Sequence, residues 1–171
     1  MEFIIRLLPQ GLMSDYLRKA QVGDALEITG PLGSFYSREV SKPTLFFAGG
    51  TGIAPFIAML EQLETETCQQ QIQFYYVATT TENVVELDRI NAYKNIKVQP
   101  SACVSNEESS QYATGFVTQW INKEQLTESN YDVYICGPNA MVDAVKAALD
   151  EQQITYDNFY TEKFIPTGAT A

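Results

Sequence analysis

The sequence predicts an α/β fold, a doubly wound parallel sheet of five strands that follows a shorter stretch of antiparallel β structure. After residue 43, short runs rich in β-branched and aromatic residues alternate with segments of helical periodicity, which is the order of a parallel sheet. A glycine-rich turn joins the first run directly to a helix, and a Cys-Gly-Pro turn follows the fourth run. Because ligands of such sheets bind beyond the carboxyl ends of the strands, we expect these two turns to form one site.

The first 42 residues have a different pattern, which predicts two domains, 1–42 and 43–171. In the first, residues 2–8 and 24–29 are predicted to be extended, 14–20 to be a short helix and 30–33 to be a turn. Two strands and one helix cannot form a stable core alone. We therefore expect the chain to begin inside a domain whose earlier strands are missing.

In the second domain, periodicity assigns each element in turn. Strands are predicted at residues 44–48, 72–78, 96–102, 131–136 and about 158–162, with helices after Ile53, after Asn83, from about 115 to 125 and at 140–152. In the last helix, Met141, Val142, Val145 and Leu149 fall on one face, which predicts packing against the core.

The turn after the first strand has the form of a phosphate-binding turn. Gly49, Gly50 and Gly52 allow the backbone to approach a pyrophosphate, and the first amides of the next helix have no intrahelical partner. Pro55 suits helix initiation, but it replaces the third glycine or alanine of the G-x-G-x-x-G fingerprint. The pattern favours a nucleotide site, and the alternative is a tight strand-to-helix turn that only packs well.

The composition excludes several classes of function. A net charge of −10 argues against nucleic acid binding, and no apolar run is long enough to span a membrane. Histidine is absent, which removes the commonest general base and metal ligand. The three cysteines are too few for an iron–sulfur cluster held by four thiolates. Scattered thiols without a secretion signal indicate a reducing cytoplasm.

Several motifs, in this order along the chain, resemble the ferredoxin-NADP reductase superfamily. They lie at residues 9–17 (Pro-Gln-Gly-Leu-Met-Ser-Asp-Tyr-Leu), 30–35 (Gly-Pro-Leu-Gly-Ser-Phe), 49–55, 136–138 (Cys-Gly-Pro) and 162–164 (Glu-Lys-Phe). Within it, the chain is similar to the reductase components of benzoate and anthranilate 1,2-dioxygenases. The resemblance implies that 1–42 is the carboxyl-terminal part of an FAD-binding β-barrel and that 43–171 is a ferredoxin reductase-like NAD-binding domain.

For the flavin, the resemblance implies a divided site. The family's Arg-x-Tyr-Ser motif belongs to the missing strands and does not occur in this chain. What remains is a helix start where Gly11, Met13 and Ser14 would offer backbone amides and a hydroxyl to the FAD pyrophosphate. Ser14 could equally be an ordinary N-cap. We expect FAD binding to be weakened or lost, and any [2Fe-2S] cluster to lie in a missing domain or a partner.

For the nicotinamide, the resemblance implies a site at the turns already described. Gly49, Gly50, Thr51 and Gly52 would wrap the NADH pyrophosphate and ribose. The remaining implied cofactor-binding residues are Ala54, Pro55, Cys136, Gly137, Pro138, Met141 and Phe164.

The residues implied to act at the reacting rings are Cys136, Glu162 and Thr51. Cys136 would lie beside the nicotinamide, Glu162 would supply a nearby carboxylate, and Phe164 would cover the flavin. On the residues alone, Cys136 could be a small apolar strand residue, Glu162 a solvated charge and Phe164 a core residue. No histidine is present to activate Cys136 as a nucleophile.

The implied reaction is hydride transfer from NADH to the flavin, followed by single-electron release to an iron–sulfur acceptor. Because the cofactors carry this chemistry, a site without histidine is compatible with it. The resemblance favours part of an NADH-dependent reductase that supplies the oxygenase component or a ferredoxin of a ring-hydroxylating dioxygenase in aromatic catabolism. The alternatives are a phenol hydroxylase or flavohaemoglobin type of reductase, and a nicotinamide-binding electron-transfer adaptor that is inactive alone.

The loops after the second and third strands predict the choice of cofactor. A 2′-phosphate on the adenosine ribose needs Arg or Lys at this edge of the sheet. Residues 79–82 and 105–108 contain no cation but three carboxylates, those of Glu82, Glu107 and Glu108. The sequence therefore predicts a preference for NADH over NADPH.

Overall fold

The computed structural model describes residues 1–30, 32–126 and 130–164, with the backbone alone at 163 and 164. Contacts divide the chain into two units, Met1–Ser34 and Phe35–Ala171. The sequence placed its domain boundary later, after residue 42. All strands of the described residues belong to the second unit.

Among its described residues the first unit contains one helix, α1 (Leu12–Leu17), which starts and ends earlier than the predicted 14–20. The prediction of antiparallel strands at 2–8 and 24–29 is wrong, because neither segment forms a β ladder in the described residues. Phe3, Ile5 and Leu7 alternate as on a strand face, yet each is about half exposed. The physical reason is that a strand requires a neighbour for its backbone groups and for its apolar face.

The described residues of the second unit contain a parallel sheet of six strands. They are β1 (Thr44–Gly49), β2 (Gln71–Ala78), β3 (Lys97–Val104), β4 (Ala113–Thr114), β5 (Tyr131–Pro138) and β6 (Tyr156–Phe164). Their order is β4-β3-β2-β1-β5-β6, and every neighbouring pair is parallel. The fold class is confirmed, and the two-residue β4 is an addition to the five predicted strands. The strand order reverses beside β1, which is where such sheets bind ligands.

In the part of the chain that the structure describes, three α-helices and three 3₁₀ turns connect the strands. They are α2 (Ala54–Glu66), α3 (Leu87–Asn91), α4 (Asn139–Glu151) and the 3₁₀ turns Gly50–Ile53, Thr81–Asn83 and Val117–Trp120.

The prediction of a helix at 115–125 is wrong, because this segment forms only the 3₁₀ turn Val117–Trp120. Two side chains bond to the backbone within this segment. Gln119 Oε1 accepts the Phe116 N–H at 3.0 Å, and Asn122 Oδ1 accepts the Glu124 N–H at 2.9 Å. Such local hydrogen bonds compete with the backbone hydrogen bonds of a helix, so a helix does not form here despite the apolar spacing.

Core packing on both faces of the sheet fixes the turn that follows β1. β1 is buried at every position, as expected of a strand covered on both sides. On one face the Phe56 ring of α2 lies 4.8 Å from Phe46 and 5.7 Å from Phe74. On the other face α4 buries Val145 and Leu149 completely. The carboxyl end of β1 is therefore held rigidly between two helices.

None of the helices in the described part of the chain has the length and apolar composition that a membrane crossing requires. Within the same residues, no group of three or more cysteines and carboxylates is arranged to hold a metal ion.

Candidate functional site

The turn after β1 presents backbone amides at the carboxyl edge of the sheet. The 3₁₀ turn Gly50–Ile53 begins without a side-chain cap, and so does α2 behind it. Gly50 has φ +55°, and a Cβ built on it would meet nothing within 4 Å. The turn therefore combines a left-handed glycine, open space beside it and amides that no side chain satisfies, which suits a pyrophosphate.

Two of the glycines are required by close packing instead. A Cβ on Gly52 would lie 2.2 Å from the carbonyl oxygen of Cys136, and one on Gly49 would lie 2.7 Å from Met141 Sδ. Gly137 adjoins Gly49, since its own Cβ would lie 3.3 Å from the Gly49 Cα. The turn after β1 thus lies directly against the end of β5.

Cys136 and Glu162 form a pair on neighbouring strands. They are register partners in β5 and β6, and Cys136 Sγ lies 3.8 Å from Glu162 Oε2. The Cys136 side chain is fully buried, whereas Glu162 is partly exposed. The thiol can donate a hydrogen bond to the carboxylate, which orients the carboxylate towards the end of β5.

The environment keeps this thiol neutral. Burial, followed by the charge of Glu162 and its hydrogen bond, raises the pKa of Cys136 from 9.0 to about 12. A cysteine that is active as a nucleophile has its pKa lowered by a nearby cation or a helix N-terminus. Cys136 is therefore a hydrogen-bond donor and a packing surface at neutral pH.

The remaining residues predicted for the nicotinamide site lie around this pair. Pro138 is exposed at the end of β5 and starts α4, while Thr51, Ala54 and Pro55 are partly exposed along the turn and the first residues of α2. Met141 is partly buried against the core. The structure brings together every predicted nicotinamide residue whose side chain it describes. Phe164 pairs through its backbone with Pro138, and its side chain lies outside the described residues.

The loops after β2 and β3 are joined by hydrogen bonds, which the sequence did not reveal. The amides of Ser105 and Asn106 donate to the carbonyls of Ala78 and Thr79, each at 3.0 Å. The carboxylate of Glu107 accepts the N–H of Thr81. No local sequence pattern predicts this bond, because Glu107 lies 26 residues after Thr81.

In the first unit, the predicted flavin residues lie at the start of α1. Gly11 is its N-cap without a side-chain hydrogen bond, and Met13 is more than half exposed. Ser14 is buried, and its hydroxyl oxygen accepts the Leu8 N–H at 2.9 Å. Ser14 therefore closes the loop that precedes the helix and is not the N-cap.

Comparison with known proteins gives matches to both parts of the chain. The family model of the oxidoreductase NAD-binding domain matches residues 46–147, and that of the oxidoreductase FAD-binding domain matches residues 1–36.

Two curated relatives are electron transfer components of dioxygenases. That of anthranilate 1,2-dioxygenase from Acinetobacter baylyi is 42% identical over 170 residues, which cover 96% of this chain and 49% of the relative. That of toluate 1,2-dioxygenase from Pseudomonas putida is 43% identical over 165 residues, which cover 95% and 49%. The chain spans about half the length of these relatives.

A solved structure supports the fold. The crystal structure of the Amycolatopsis cytochrome P450 reductase GcoB superposes with a TM-score of 0.80 at 24% identity, covering 95% of this chain and 51% of that one. At this level of identity the likeness concerns the fold alone.

Proposed function

The chain belongs to the oxidoreductase NAD-binding domain family, and from this premise we propose that it is the nicotinamide-binding part of an NADH-dependent flavoprotein reductase. The observation that carries the proposal is the uncapped turn Gly50–Ile53, which lies against the buried end of β5. Relatives named as electron transfer components of dioxygenases support the role. The whole reductase would pass electrons from NADH through FAD to an iron–sulfur centre of a ring-hydroxylating dioxygenase system. Its acceptor would be the oxygenase component or a ferredoxin in aromatic catabolism.

The residues of this chain bind and orient the reactants. FAD, when bound, accepts a hydride and releases single electrons. The amides of the Gly50–Ile53 turn and the hydroxyl of Thr51 would hold the pyrophosphate and ribose of NADH. Cys136 keeps its proton and would pack beside the nicotinamide ring, while Glu162 would present the carboxylate that the thiol orients. Alignment of this kind supplies most of what a protein adds to hydride transfer.

For the flavin, this chain offers the start of α1. Gly11, Met13 and Ser14 would contribute amides and a hydroxyl to the pyrophosphate. Many apolar side chains of the first unit are exposed, which suits contact with a further polypeptide. The same observation favours a second candidate, a nicotinamide-binding adaptor that is inactive without a flavin-binding partner.

We also assign the protein to the reducing cytoplasm. Cys68, Cys103 and Cys136 are all free thiols. Disulfides are rare in the cytoplasm, and this pattern supports the assignment.

Titration calorimetry with NADH tests the nicotinamide site. We expect one molecule of NADH per chain, and Thr51→Val should weaken binding about three- to tenfold through the lost hydroxyl. Thr65→Val is the matched control, because the Thr65 hydroxyl bonds to the Glu61 carbonyl on the exposed surface of α2. Absence of NADH binding, or equal loss in both variants, would contradict the proposal.

The visible spectrum of the chain tests whether it is a working reductase by itself. The chain is mixed with excess FAD, freed of unbound flavin and treated with NADH under anaerobic conditions. Bound flavin that is bleached by NADH supports the reductase. NADH binding without retained flavin supports the adaptor, or a reductase that needs a further polypeptide for FAD.

A further inference from the structure

The loops that follow β2 and β3 form one connected structure at the carboxyl edge of the sheet. Backbone bonds from Ser105 and Asn106 extend the pairing of the two strands beyond their ends. Further along, Thr81 Oγ1 lies 3.0 Å from Ser109 Oγ, and the Thr81 N–H donates to Glu107 Oε1. Glu107 therefore spans from one loop to the other, and its carboxylate has a fixed position.

The other acidic residues of these loops are placed differently. Glu82 and Glu108 are exposed, whereas Glu107 is partly buried. Charges on exposed, mobile side chains are strongly screened by water and salt. The hydroxyl of Thr81, followed by its backbone amide, lowers the pKa of Glu107, which is consequently ionised at neutral pH. Of the three carboxylates, that of Glu107 is the one held in place by a hydrogen bond from the neighbouring loop.

We propose that Glu107 is the residue that determines the preference for NADH over NADPH. It does so in two ways: its fixed charge repels a 2′-phosphate on the adenosine ribose, and it occupies the Thr81 amide that an incoming phosphate would otherwise use. The inference rests on the proposed function, since it requires a dinucleotide whose pyrophosphate lies at the Gly50–Ile53 turn. The adenosine would then extend towards β2 and β3 along the edge where parallel sheets bind ligands.

The test compares the dissociation constants of NADH and NADPH for four forms of the full chain by calorimetry at low ionic strength. Glu107→Gln removes the charge and keeps an oxygen that can accept the Thr81 N–H. Glu107→Ala removes both, and Glu108→Gln is the matched control that removes the same charge from the exposed neighbour. Circular dichroism and thermal melts confirm that each variant is folded.

We expect Glu107→Gln to tighten NADPH binding about fivefold while NADH binding changes less than about twofold. Glu107→Ala should also weaken NADH, because the loops lose their connecting bond. Glu108→Gln should change the ratio of the two constants less than about twofold. The gain in Glu107→Gln should shrink as salt is added.

The outcomes distinguish this inference from the proposed function. If the unmodified chain does not bind NADH, the proposed function itself fails. If NADH binds but Glu107→Gln leaves the ratio unchanged, the inference is overturned and the proposed function stands. An equal shift in Glu108→Gln also overturns it, because the effect would then come from overall charge and not from the fixed carboxylate.

Discussion

Replacing Gly52 with alanine should displace the turn after β1. A Cβ at this position would lie 2.2 Å from the carbonyl oxygen and 2.8 Å from the carbonyl carbon of Cys136. Both atoms belong to the backbone of a central strand, so neither can move aside by a change of rotamer. The Gly50–Ile53 turn must therefore move away from β5.

The size of the effect follows from the overlap. Close carbon–oxygen contacts in proteins lie at about 3.3 Å or more, so the turn must shift by about 1 Å. Overpacking of this kind costs about 1–3 kcal/mol, and we expect the free energy of unfolding to fall by about 2 kcal/mol. A shift of about 1 Å would also move the amides of the turn out of hydrogen-bond distance of a pyrophosphate, and losing one such bond to a charged group should lower NADH affinity at least about tenfold.

Urea unfolding followed by Trp120 fluorescence measures the stability of the second unit, and calorimetry measures NADH binding. Gly30→Ala is the matched control, because a Cβ there would meet its nearest neighbour, the Leu32 amide nitrogen, at an ordinary 3.9 Å. Its stability should change by less than about 0.5 kcal/mol. A Gly52→Ala variant that is as stable as the control and binds NADH normally would refute the reasoning.

Three further predictions concern the core and the thiols. Phe56→Ala should lower the free energy of unfolding by about 3–5 kcal/mol, because its ring is fully buried. In the same denaturant titration the control Phe116→Ala, at an exposed ring, should cost less than about 0.5 kcal/mol. Similar costs for the two variants would contradict the packing of Phe56. The pKa of Cys136 is raised from 9.0 in the unfolded chain to about 12 in the folded chain. Between these two pH values the thiol is protonated in the folded state and ionised in the unfolded state. The free energy of unfolding should therefore be fully present below about pH 9 and fall as the pH rises towards 12. Cys136→Ala should make that decline shallower, and an unchanged decline in urea titrations across this range would count against the assignment. A thiol reagent at pH 8 should modify partly exposed Cys68 in the folded chain and react with buried Cys103 and Cys136 only after unfolding. Modification of Cys103 or Cys136 before unfolding would show that the end of β3 or of β5 opens in the folded chain.

The sequence was sufficient to predict the sheet and the turns at its carboxyl edge, because their signals are local. An unbroken apolar run, glycines and an amphipathic helix in succession define β1, its turn and α2 without reference to other parts of the chain. The buried face of α4 was likewise predictable, since Val142, Val145 and Leu149 recur at helical spacing.

Other features depend on contacts that a sequence pattern does not contain. The segment 115–125 has apolar residues at helical spacing, but the bonds of Gln119 and Asn122 to nearby amides favour turns. The alternation of Phe3, Ile5 and Leu7 is typical of a strand, yet strand formation depends on a neighbour that the pattern does not supply. The bond between Glu107 and Thr81 depends on the loop geometry after two strands. The roles of the site residues remain predictions for the experiments above.

The protein also contains an intrinsic fluorescent reporter of its cofactor. Its single tryptophan, Trp120, lies in the 3₁₀ turn Val117–Trp120, beside β3 and β4, and is partly exposed. The proposed nicotinamide position is across the sheet, at the ends of β1 and β5. Indole emission overlaps the absorption of reduced nicotinamide, so binding should quench the fluorescence by energy transfer, and oxidation of the bound cofactor should restore it. One unlabelled chain could thus report both occupancy and redox state of its cofactor in real time.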